Sequence, residues 1–239
     1  MIRFENAAFA YRPEEPVLAG VTLEIPAGLT LLLGRNGCGK STLLKLAAGI
    51  ERPDAGRIEI DGHDLWRDEV AARRSLAYVP EQPDLTPYAT VREILSLVCR
   101  LRGEPVARGR QALETVGLGE LGHRSVRELS QGQRRRAVLA AALVGEPRNV
   151  LLDEPLEAMD RGAREDILGW IDRWVAAGAA VVVVSHDIEP FVPRAARALA
   201  SSAGSWAFSA PLPPTSEERR ELLDRLARSG GPVSSGVSG

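Results

Sequence analysis

The chain has 239 residues, 44% hydrophobic and 26% charged, the balance of a soluble globular protein with one large domain or two intimate subdomains. Its net charge of −2 argues against a nucleic-acid partner, which calls for a basic excess. Two cysteines, Cys38 and Cys99, do not make a disulfide framework, so a reducing cytosol is the expected setting.

In chain order, MIRFENAAFAYRPEE carries charge from Arg3 onward and is not expected to be a signal peptide. IRFENAAFAY and VLAGVTLEI alternate around a Pro-containing turn and predict two antiparallel strands. GLTLLLG is a short apolar strand running into a Gly-rich loop, and STLLKLAAGI continues as a helix. RIEIDGHDL predicts a strand and a turn with Asp61-Gly62 at the corner. SLAYVPEQPDL predicts a strand ending in a loop rich in Pro and acidic residues. From Thr90 to about Leu129 the pattern is helical, with glycines at the turns, and a further helix is expected from about Gln131 to Val144. NVLLDEP and AAVVVVSHD are continuous apolar runs with polar ends, the signature of buried parallel strands. ALASSAGSWAFSAP predicts a final hairpin, and Pro211–Pro214 marks the expected domain end. Residues 217–228 predict an amphipathic helix, with 229–239 expected to be disordered. The longest apolar run, Val175–Val184, is about half of the ~20 residues a membrane helix needs. Work at a membrane would therefore require another chain to span it.

GRNGCGKS, Gly34–Ser41, fits G-x-x-x-x-G-K-[ST] between a strand and a helix. Only Lys40 and Lys45 are lysine among the 30 basic residues, so Lys40 stands out. Gly34, Gly37 and Gly39 let backbone N–H groups close around phosphate oxygens. Lys40 reaches β- and γ-oxygens, and Ser41 suits Mg²⁺.

In VLLDEP, Asp153 and Glu154 close a strand whose carboxyl end faces the ligand in an open α/β sheet. Alone the pair is a solvated strand end. With a phosphate loop, Asp153 suits the Mg²⁺ shell and Glu154 suits a general base for water. His186 follows four valines and is placed to hold a γ-phosphate oxygen or the attacking water. His63 and His123 read as surface residues. In LSQGQRRR, Ser130 and Gln133 form an S-x-x-Q capping box, and an open helix N-terminus attracts phosphate. Arg134–Arg136 read as a solvated helix face or as intra-chain ion pairs.

GRNGCGKS, LSQGQ, LLDEP, EAMD and VVSHD occur in that order. Over about residues 1–210 the chain resembles the nucleotide-binding subunit of ABC transporters. The resemblance implies an α/β fold: a P-loop NTPase core with a mostly parallel sheet, an N-terminal antiparallel β-subdomain, and a helical subdomain of about 88–130 before the signature. Residues 211–239 would be a tail, a short helix followed by disorder. It also implies ATP and Mg²⁺ as cofactors and a head-to-tail dimer, expected to be a homodimer. Each ATP would lie between one phosphate loop (Gly34, Arg35, Asn36, Gly37, Cys38, Gly39, Lys40, Ser41, Thr42) and the second subunit's Ser130, Gln131, Gly132 and Gln133.

By the same resemblance Tyr11 stacks on adenine, although a strand Tyr can simply pack. Asp160, closing EAMD, lines the dimer interface. Either Glu81 or Gln82 senses Mg²⁺, with Gln82 the candidate metal ligand beside Ser41 and Asp153. Gln131 stands where the commonest signature has Gly, and EAMD replaces the frequent SALD. Glu81, with YVPE and GQRRR, is more similar to exporter-type ATPases than to nutrient importers, so a motor for an export permease is expected. That permease would dock over 78–130, holding the chain on the inner face of the membrane. A soluble non-transport ATPase and a non-hydrolysing regulatory subunit are the alternatives.

Overall fold

The computed structural model describes residues 1–82, 85–157, 159–202, 205–209 and 211–229. The N-terminal strands β1 (Ile2–Arg12) and β2 (Glu15–Ile25) pair antiparallel, as their alternation predicts. β3 (Gly28–Leu33) enters a second sheet and leads through the Gly-rich loop into α1 (Lys40–Ala47). β4 (Ala55–Ile60) and β5 (His63–Asp64) return to the first sheet, whose order is β2-β1-β4-β5. Asp61 and Gly62 between them both have positive φ, 50° and 83°, the requirement of a tight I′ hairpin turn.

Helix α2 (Glu69–Arg74) precedes β6 (Leu76–Val79). The helical stretch resolves into α3 (Val91–Arg102), α4 (Val106–Thr115) and 3₁₀ turns at Gly119–Leu121 and Val126–Glu128. Then come α5 (Gln131–Leu143), β7 (Asn149–Asp153), α6 (Arg161–Ala176), β8 (Ala180–Val184), β9 (Arg197–Ser202), β10 (Ser205–Phe208) and α7 (Ser216–Ser229). Helix α6, over a stretch with no expectation attached, buries Ala163, Ile167, Trp170, Ile171 and Trp174, one face at helical spacing. The apolar run 175–184 is divided at Gly178 (φ 81°), part helix end and part strand.

The second sheet has the order β10-β9-β3-β8-β7-β6, parallel from β9 to β6, with β10 antiparallel at its edge. Both faces are covered. Leu31, Leu33, Val150, Leu152, Val181 and Val183 point into the core under the helices. Leu32, Leu151, Val182 and Val184 point into the core shared with α1 and the antiparallel sheet. The continuous apolar runs thus serve two cores by simple alternation.

The C-terminal helix corrects one expectation. Helix α7 is not a tail set apart after residue 210: Leu223 and Leu226 are fully buried in the helical-side core. Arg219 ties it down by donating to the carbonyls of Pro213, Val192 and Ala195. Of the stretch 229–239 expected to be disordered, Ser229 instead closes α7, and 230–239 lie outside the described residues. Among the described residues, no helix is long and apolar enough to cross a membrane.

Leu31 sits at the centre of the parallel sheet with no exposure. Leu31→Ala is expected to cost about 2–5 kcal/mol, the range for a core leucine deletion, read as a lower midpoint in urea unfolding.

Candidate functional site

Parallel pairing places the chemistry. β7 and β8 run in register to Asp153 opposite Val184, and β3 pairs with β8 through Leu31 opposite Val183. The carboxyl ends of three adjacent strands therefore bring together the loop after Leu33, the Asp153-Glu154 pair and the Ser185-His186 pair. They open on a cleft of about 410 Å³.

The loop is built by glycines. Gly34, Gly37 and Gly39 have φ of 148°, 79° and 95°, a region that L side chains rarely adopt. A Cβ on Gly39 would also stand 2.8 Å from Val17 Cγ1, and one on Gly34 2.7 Å from Cys38 Sγ. Lys40 Nζ donates to the carbonyls of Gly34 (2.8 Å) and Arg35 (3.1 Å), bridging the loop it stands in. Asn36, Gly37, Gly39, Lys40, Ser41 and Thr42 line the cleft. Gly34 and Arg35 line an adjoining cavity of about 420 Å³ together with Arg228 of α7. Cys38 is half-buried, and its carbonyl accepts from Ser201 Oγ at 3.4 Å.

Asp153 and Glu154 are almost fully buried. Burial pushes the Asp153 carboxyl above the usual carboxylate range, partly offset by a hydrogen bond from Ser41 and by the charges of Lys45 and Lys40. Burial likewise pushes Glu154 up, opposed by the His186 backbone N–H and imidazole. That N–H donates to Glu154 Oε2 at 3.2 Å, Ser185 Oγ donates to the same oxygen at 3.4 Å, and His186 Nε2 lies 3.7 Å from Oε1. Glu154 has φ 48°, a conformation a non-glycine residue holds only when its surroundings dictate it. Its own N–H donates to Val184 O at 2.9 Å, which fixes it there.

Asp153 Oδ1 and Glu154 Oε1 are buried without a hydrogen-bond partner. Such atoms need an explanation. A cation beside Asp153 and Ser41, and a water beside Glu154, would satisfy them. One carboxylate and one hydroxyl, all-oxygen donors, fit Mg²⁺, which takes few protein ligands and completes its shell with phosphate and water oxygens.

Glu81 lines the cleft beside Asp153, whereas Gln82, though described, is not among the lining residues. Tyr11 is exposed at the mouth, edge-on to Phe9 with centroids 4.9 Å apart, and its hydroxyl accepts a long 3.5 Å contact from Thr42 Oγ1.

The signature stays outside. Ser130 caps α5: its Oγ accepts from Gln133 N–H (3.2 Å), and Gln133 Oε1 accepts from Ser130 N–H (3.0 Å), the expected capping box. Ser130 and Gln131 are exposed, and none of Ser130, Gln131, Gly132 and Gln133 lines the cleft. Asp160 caps α6, accepting from Ala163 N–H at 2.9 Å, and is also exposed. His63 and His123 are exposed, as read.

The arginine run departs from expectation. Arg135 is not on a solvated face but only 5% exposed, because its side chain turns inward to two backbone carbonyls. Sequence reasoning also missed Ser185, although it lies in VVVVSHD, and it missed Val17, which walls the loop from β2.

Residues 18–157 match the family model described as ABC transporter. The chain is 40% identical over 178 residues to the sulfate/thiosulfate import ATP-binding protein CysA of Gloeobacter violaceus, across 72% of this chain and 52% of that one. It is 35% identical to the aliphatic sulfonates import ATP-binding protein SsuB 1 of Mesorhizobium japonicum, across 95% of this chain and 87% of that one. The chain thus spans about half the length of the first relative and most of the second. Among solved structures it is similar to a dimeric ATP-binding cassette in a post-hydrolysis state bound to ADP and Pi. There the TM-score is 0.78 at 26% identity, covering 90% of this chain and 100% of that one. These relatives are named as import proteins, so the expectation of an exporter-type subunit is not borne out.

Two outcomes follow from this geometry. A raised carboxyl pKa makes the native state bind the extra proton, so the Glu154 penalty is fully present above the raised value. It fades as pH falls toward the unfolded value. Glu154→Gln should therefore raise the melting temperature by a few degrees at pH 7.5 and by less at pH 4.5, measured by calorimetry. Second, an alkyl group on Cys38 Sγ has no room beside Gly34. N-ethylmaleimide modification should weaken nucleotide binding at least tenfold, measured with a fluorescent ATP analogue. Unchanged affinity of fully labelled protein would refute this.

Proposed function

The chain belongs to the ABC transporter family, and we propose that it is the ATP-hydrolysing motor subunit of an importer that works with a separate membrane permease. One observation carries the reading. Lys40, Ser41, Asp153, Glu154 and His186 converge on one cleft at the carboxyl ends of β3, β7 and β8, with a buried oxygen of each carboxylate left unpartnered.

The roles follow from chemistry. The loop amides and Lys40 hold the β- and γ-phosphates. Lys40 must exchange the carbonyls of Gly34 and Arg35 for phosphate oxygens, so ligand and loop compete for one ammonium. Ser41 and Asp153 would hold Mg²⁺, which when bound neutralises charge on the β- and γ-oxygens. Glu154, with Oε2 held by Ser185 and His186, turns its free Oε1 toward the attacking water. His186, largely exposed, steadies the γ-phosphate. Tyr11 offers its ring to adenine. Glu81 lines the cleft beside Asp153, which supports it over Gln82 as the residue that senses the metal.

Because Ser130–Gln133 stand outside their own cleft with an open helix N-terminus, they serve the phosphate of a second copy. Two copies then close two ATP between them, a homodimer. Asp160 lies on the same joint. The permease docks over 78–130, where Tyr88, Leu97, Leu101 and Val106 are exposed, and holds the motor at the inner membrane face. The import direction is supported by the relatives' names.

Glu154→Gln should slow hydrolysis at least 10²-fold and trap the closed pair. Light scattering should show a monomer that doubles in mass only with Mg-ATP. Tight ATP binding with no doubling at any protein concentration would sink the homodimer reading.

A further inference from the structure

Helix α5 carries the exposed signature at its first turn, and one turn later Arg135 points the other way, into the core. Its guanidinium, 5% exposed, donates from Nη1 to Glu81 O and from Nη2 to Asp153 O, both at 3.2 Å. These carbonyls belong to two different segments, the loop after β6 and the end of β7. Nε is buried without a partner. The side chain therefore holds two segments of the cleft to a third element at a real desolvation cost.

The neighbouring arginine differs. Arg134 donates to Val126 and Arg127 O, within the lead-in to its own helix. Arg135, by contrast, bonds to two residues that line the cleft, Glu81 and Asp153. Burial works against its charge, and the nearby carboxylates of Glu157, Glu154, Glu81 and Asp153 offset only part of that. Yet its N–H groups go to backbone oxygens, which leaves Asp153 Oδ1 and Glu154 Oε1 free for other partners. A guanidinium suits this arrangement. Its planar fork spans two acceptors at once, and its charge offsets a crowd of carboxylates without neutralising any one by direct pairing.

We infer that Arg135 is a positioning residue that locks the signature helix, the Glu81 loop and the Asp153-Glu154 strand end into one unit, so that seating Ser130 on a second copy's phosphate and aligning Glu154 with water are one event. The inference rests on the proposed ATPase reading. It requires the two hydrogen bonds to act on turnover rather than on nucleotide capture, since neither touches the phosphate loop.

The test uses the full chain with Arg135→Gln and Arg135→Lys. Melting temperature, affinity for a fluorescent ATP analogue and steady-state ATP hydrolysis are measured for each. For Gln, kcat should fall at least tenfold while KM and nucleotide affinity stay within threefold. Lys, with the charge but no fork, should recover part of kcat. Hydrogen exchange of nucleotide-free protein gives a readout independent of activity. In either variant, peptides around Glu81 and Asp153 should lose protection together while 34–41 keeps its own. A kcat within twofold of wild type for both variants would overturn the inference. So would a loss of kcat matched by an equal loss of nucleotide affinity, which marks a merely structural role. Should Gln fail to fold, Lys alone decides by the same criteria. Wild-type protein that binds no ATP would instead refute the proposed function.

Discussion

The in-register parallel pairing of β3, β8 and β7 is the constraint on which the site depends. Parallel strands all present their carboxyl ends at one edge, and here three adjacent ones end within a residue of each other. The phosphate loop, the acidic pair and the histidine lie far apart in sequence but leave the sheet side by side. Such pairing comes with both faces covered, because the crossovers between parallel strands pack on the sheet and the strands are apolar on both sides. The antiparallel sheet with α1 covers one face, and the helices from α3 to α7 cover the other. A core leucine in β3 and the acidic pair at the end of β7 are thus parts of one arrangement.

That arrangement sets the electrostatics. Two adjacent carboxyls are buried where water cannot stabilise their charge, and both are pushed toward the neutral form. Lys40, Lys45, His186 and Arg135 supply compensating charge from four directions. None of the hydrogen bonds found takes up Asp153 Oδ1 or Glu154 Oε1. Glu154 is also held at positive φ by its bond to Val184. Such strain, unpaired oxygens and raised carboxyl pKa values cost stability, and sites that do chemistry accept that cost.

The fold keeps two elements of one chain apart: the signature caps a helix at the surface, and the phosphate loop lies in the cleft. Under the proposed function one chain holds half of each site, and a second copy supplies the other half. Arg135 is where the two halves communicate inside a single chain, since one helix presents Ser130 outward and grips the cleft inward.

The sequence by itself determined the elements whose chemistry is local. The alternation of β1 and β2, the glycines of Gly34–Ser41, the Asp61-Gly62 corner and the Ser130–Gln133 cap are each specified by residues within a few positions of one another, and each is found as read. Asp153, Glu154 and His186 were legible because a strand end followed by acid or histidine has a meaning once a phosphate loop is present. What depended on packing was not legible. An arginine run looks like a solvated face until tertiary contacts turn Arg135 inward toward two carbonyls that lie 54 and 18 residues away. A proline-bounded tail looks separate until Leu223 and Leu226 find the core. That Glu81 rather than Gln82 lines the cleft depends on the path of the loop after β6. Local patterns fix backbone geometry and capping, because those interactions are short in sequence. Only the tertiary structure decides which buried charge meets which carbonyl, because that is set by how separate elements pack.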